Sequence, residues 1–83
     1  MPYIGQINIF PYNFAPQGWA YCRGQLLPIS ENTELFSLIG TKFGGDWETN
    51  FALPNYDGMA PNGSNYFICL QGGTQVSQSG DAA

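Results

Sequence analysis

Eighty-three residues make at most one domain, and a chain of this length buries only about 60–65% of the surface that its unfolded form exposes. Charged residues are 10% of the chain, against roughly 25% in ordinary soluble domains, and the net charge is −4. One arginine and one lysine cannot form the basic clusters that nucleic acids and anionic membranes require, and no run of about 18 apolar residues exists to span a bilayer.

Small domains usually need a supplement to a thin core: a disulfide, a metal or a partner subunit. The composition points to the last. Aromatics are 16% of the chain, and a surface poor in charge but rich in Tyr, Trp and Phe is what the centre of a protein interface looks like. The start, MPYIGQINIFPYN, lacks a basic opening and a long apolar stretch, so it is not read as a secretory signal and synthesis is expected in the cytosol.

In chain order, Tyr3–Phe10 alternates in part, with Gly5, Ile7 and Ile9 on one side and Gln6 and Asn8 on the other, which predicts a half-buried strand. Pro11 ends it, since proline has no N–H to donate. Tyr12–Gly18 reads as a loop. Trp19–Cys22 and Gln25–Pro28 flank Arg23-Gly24 and together predict a tight hairpin over Trp19–Leu27. Ser30 is the expected cap of a helix carrying Leu35, Phe36, Ile39 and Phe43 on one face, weakened at Gly40 and ended by Gly44-Gly45. Two or three helical turns do not stand alone, so the helix must pack on the sheet.

Asp46–Asn50 reads as a loop and Phe51–Leu53 as a short strand stopped by Pro54. Asn55–Ser64 is irregular, with a turn at Asn62-Gly63. Tyr66–Leu70 is the most apolar run and the expected central strand. Cys22 and Cys69 lie within apolar segments and read as small buried hydrophobes, with a disulfide between them left open; without His or C-x-x-C spacing they do not make a zinc site.

Chemistry finds little to stand on. There is no histidine, no phosphate loop and no cofactor motif, and the loop acids Asp46 and Glu48 are neighbours rather than opposed across a cleft. No catalytic, cofactor or metal residue is assigned. Trp19 reads as core, whereas aromatics set among Asn, Asp and Gly have the chemistry of interfaces and sugar platforms. Phe10, Tyr12, Phe14, Trp47 and Tyr56 are therefore the candidate interface or glycan contacts.

Five blocks occur in order between Tyr3 and Asn55: FAPQGWA, GQLLPIS, NTELFSLIGT, FGGD and FALP. In these the chain resembles the phage tail collar family, found in short tail fibres and in small bacterial relatives termed microcystin-dependent proteins. Two positions depart from the family pattern. Met59 stands where an arginine is usual, and Trp47 follows Gly-Gly-Asp where a small residue is usual. The family's longer variable region after FALP is not matched, so the resemblance supports a structural module better than receptor binding.

The resemblance implies an α+β fold: a small mixed sheet with short strands and hairpins and one short helix packed on it. Residues 1–71 would form the collar-like domain and 72–83 a flexible polar tail. It further implies a structural component of a phage tail or phage-like contractile particle, made in the bacterial cytoplasm and residing in a tail fibre, collar or baseplate appendage. The expected partners are two further copies in a homotrimer and other tail fibre or baseplate proteins. The alternative is a carbohydrate-binding adsorption module that recognises a cell-surface glycan.

Overall fold

The computed structural model describes residues 2–72. Five short strands and one short helix occur in the order β1 (Ile7–Phe10), β2 (Trp19–Tyr21), β3 (Leu26–Pro28), a 3₁₀ turn (Ile29–Glu31), α1 (Thr33–Ile39), β4 (Asn50–Ala52) and β5 (Asn65–Cys69). The α+β reading holds, and the strands divide between two antiparallel sheets, β1-β5-β2 and β3-β4.

The most apolar run is the central strand, as expected. β5 sets Ile68 opposite Ile7 and Ala20, and Phe67 opposite Asn8 and Tyr21. Because side chains alternate across a sheet, two unlike faces result. One carries Ile7, Ala20, Tyr66 and Ile68, and these join Ile4, Cys22, Leu35, Phe51 and Leu53 in the core beneath α1 and the smaller sheet. The other carries Phe10, Trp19, Tyr21 and Phe67.

Several local expectations are corrected. The first strand begins at Ile7, because Ile4 and Gly5 form a turn that drops Ile4 into the core. Ile9, expected inside, is 44% exposed. Trp19–Leu27 is not a hairpin: β2 pairs with β5 and β3 with β4, and Arg23-Gly24 carries the chain from one sheet to the other. Ser30 caps no helix; it lies within the 3₁₀ turn, and Asn32 is the residue before α1. The helix stops at Gly40, whose φ of 55° lies in the left-handed region, so Phe43 is beyond it and exposed. Leu35 is the one helical side chain fully buried.

Both cysteines are buried and unbridged. The register explains this: Cys69 lies opposite Trp19, whereas the Cys22 amide donates to the Tyr66 carbonyl three residues away along β5. Such an offset is about 10 Å, beyond disulfide reach. The expected tail at 72–83 lies, except for Gly72, outside the described residues.

Candidate functional site

The sheet face turned away from the core is an aromatic surface. Phe10 sits on the edge strand, and the chain continues past Pro11 so that Tyr12 and Phe14 stack after it. The rings of Phe10 and Tyr12 are 5.4 Å apart at 20°, and those of Tyr12 and Phe14 are 5.2 Å apart at 18°. The Asn65 side-chain amide donates to the Tyr12 carbonyl oxygen at 2.7 Å and ties this loop to β5.

From Phe10 the surface runs inward. Trp19 meets its ring edge-on at 5.0 Å, and Phe67 lies 5.7 Å away. Tyr21 covers Phe67 from the other side at 4.8 Å, and the Arg23 guanidinium stacks on Tyr21 at 3.7 Å from the ring centre. Arg23 also pairs with Asp57 at 3.3 Å. Phe67 is wholly buried in the middle of this array, while Tyr12 and Phe14 at its end are 39% and 59% exposed. The gradient is that of a platform: a fixed ring at the centre and open rings at the margin.

The other two candidates lie elsewhere. Trp47 is 67% exposed and stands edge-on to Phe36 at 5.6 Å, above Gly40. Tyr56 packs against Tyr66 at 5.4 Å beside the core. Phe10, Tyr12 and Phe14 are therefore gathered into one surface, and Trp47 and Tyr56 each belong to a separate aromatic pair. Sequence reasoning missed Tyr21, Arg23 and Phe67, and it placed Trp19 in the core. The period of two in Trp19-Ala20-Tyr21, matched by Phe10, Tyr12 and Phe14, was the available signal.

The Trp47 loop is built by Asp46. One carboxylate oxygen accepts the amides of Glu48, Thr49 and Asn50 at 2.9, 2.8 and 3.1 Å, and the other accepts the Thr49 hydroxyl at 2.8 Å. These donors hold the Asp46 carboxyl well below the usual carboxylate range. They also hold Trp47 at a φ of 70°, costly for a side chain with a Cβ. Just before it, Gly45 lies so close to β4 that a Cβ there would sit 2.6 Å from the Asn50 carbonyl oxygen. The FGGD block is thus a structural device: glycine for the close approach, aspartate for the turn.

The remaining chemistry is muted. Burial pushes the Cys22 thiol up to about 11 and raises that of Cys69, so both stay protonated at neutral pH. Asp46 spends its oxygens on its own loop, and Asp57 is held by Arg23. An open groove of about 570 Å³ runs between Ile4, the start of α1 and Leu70–Gly72, with Glu31 and Glu34 on its rim. It lies apart from the aromatic surface and presents no nucleophile beside a base. No group of three or more potential metal ligands comes together among the described residues. No helix among them is long and apolar enough to cross a membrane.

Comparison with protein families finds that the model of the phage tail collar domain matches residues 5–61. No curated protein matches the chain. The matched stretch takes in β1 to β4, α1 and the Asp46 loop; β5 follows it in sequence and sits at the centre of the larger sheet.

Proposed function

The chain belongs to the phage tail collar domain family, and on that premise we propose that it is a structural component of a phage tail or phage-like contractile particle, acting in assembly and attachment. Its unit is a homotrimer, and the surface formed by Phe10, Tyr12, Phe14, Trp19 and Tyr21 is where it meets its neighbours. The observation that carries this reading is that aromatic face, whose Tyr12 and Phe14 rings the other described residues leave exposed and on whose Tyr21 the Arg23 guanidinium stacks. Rigid aromatic side chains at the margin of a fixed centre are the residues from which interfaces draw most of their energy.

Electron microscopy of particles carrying an epitope-tagged copy tests the placement. Label at the tail fibre, collar or baseplate is the expected result, and particles that assemble with unlabelled tails would remove it. Binding of the aromatic face to a polysaccharide, without any effect of its substitutions on assembly, would instead favour the glycan reading.

A further inference from the structure

Of the four outer strand edges in the two sheets, three are closed in part by the chain's own groups. On β4, the Ala52 amide donates to Gly44 O and Asn50 O accepts from the Asp46 amide. On β3, Pro28 has no N–H and its carbonyl accepts from the Asn32 side chain. On β2, the Trp19 amide donates to Pro16 O and Tyr21 O accepts from the Gln25 side chain.

β1 is the exception. Cys69 donates to Gln6 O, which fixes the phase of the ladder: Asn8 and Phe10 turn their backbone groups toward β5, and Ile7 and Ile9 turn theirs outward. Among the described residues, none of those outward amides or carbonyls has a partner. The strand also lacks the usual guards of an open edge, for it carries no charge, no proline and no bulge between Ile7 and Phe10.

We propose that this edge pairs antiparallel with β1 of a second copy, across a two-fold axis at Asn8. The occupant follows from the sequence Ile7-Asn8-Ile9, which reads the same in both directions. Centred on Asn8, the register places Ile7 opposite the partner copy's Ile9 and the reverse, so all four outward groups of each strand are satisfied by four hydrogen bonds. No like charges meet. The half-exposed Ile9 side chain gains an apolar neighbour on its own face of the sheet. Pro11 limits the pairing to about five residues, and so short a contact belongs to the weak, concentration-dependent class. It joins copies edge to edge and is independent of the aromatic face used in the proposed tail assembly.

The test uses the full chain and its solution mass over a concentration series. The native protein doubles its mass toward high concentration. Ile9→Pro removes an outward N–H and leaves the β5 ladder intact; losing two of the four bonds weakens doubling by about tenfold or more. Ile9→Lys does the same with the backbone unaltered, and an unchanged urea midpoint confirms that each variant is folded. Position is read by oxidation: Asn8→Cys cross-links copies, since residues facing across a non-hydrogen-bonded pair lie about 4.5 Å apart at Cα, and Ile9→Cys does not. A native mass that never doubles, variants that double like the native protein, or equal cross-linking from both cysteines would each overturn the proposal. Phe14→Ala tests the aromatic face and leaves doubling in place, so the two contacts fail separately.

Discussion

Replacing Phe14 with alanine separates assembly from folding. Phe14 is 59% exposed, and a phenylalanine side chain presents about 200 Å², so about 120 Å² of ring is open. Covering that area in an interface is worth about 3 kcal/mol at 25 cal/mol per Å². Its loss weakens each subunit contact by about 100-fold. Within the subunit the ring contributes one stacking contact, with Tyr12, so the folded state loses only about 1 kcal/mol. Light scattering across a dilution series reads the first quantity and urea unfolding the second. Expected is a trimer that falls apart on dilution, with a nearly unmoved unfolding midpoint. An unchanged trimer, or a large fall in the midpoint with assembly intact, would refute the assignment of this face.

Trp47 gives a paired comparison: Trp47→Gly removes the strain of the positive φ along with the ring, while Trp47→Ala keeps the strain, so the glycine variant should be the more stable by about 1 kcal/mol in urea. If the Trp47 ring is an assembly contact, both variants lower the solution mass alike. The Asp46 carboxyl titrates lower in the folded chain than in the unfolded one, so its contribution is complete above about pH 4 and is lost as pH falls below that value. The urea midpoint should drop through that range, and Asp46→Asn should flatten the drop. Leu35→Ala should cost about 2–5 kcal/mol, since Leu35 is the one side chain of α1 fully buried in the core; a chain of this length has only about 4–12 kcal/mol in total. Neither Cys22 nor Cys69 should react with a thiol reagent at neutral pH until the chain unfolds, and a reductant should leave the unfolding curve unchanged.

Local signals were legible where one element decides its own structure. Tyr66–Leu70 is apolar on every residue, and only a central strand buries both faces. Asn62-Gly63 marks a real turn, with positive φ at the glycine. The failures came where partners distant in sequence decide. Trp19–Leu27 has the form of a hairpin, but β5 and β4, each more than 20 residues further on, capture its two arms. Ser30 has the chemistry of a cap, yet the 3₁₀ turn passes that position to Asn32. Ile9 obeys the alternation that predicts burial and is exposed because β1 lies at an open edge.

The candidate surface followed the same rule. Phe10, Tyr12 and Phe14 could be found from their spacing, since a period of two needs no partner. Phe67 could not, because it joins that surface only through the β1-β5-β2 order, which the spacing of strands along the chain does not specify.

The solution mass of the full chain, measured from low micromolar concentration upward, tests the assembly reading most directly. A species of about 27 kDa at the low end, three copies of a 9.1 kDa chain, is the predicted result, with doubling toward the high end where β1 edges pair. A 9.1 kDa monomer at every concentration would contradict it.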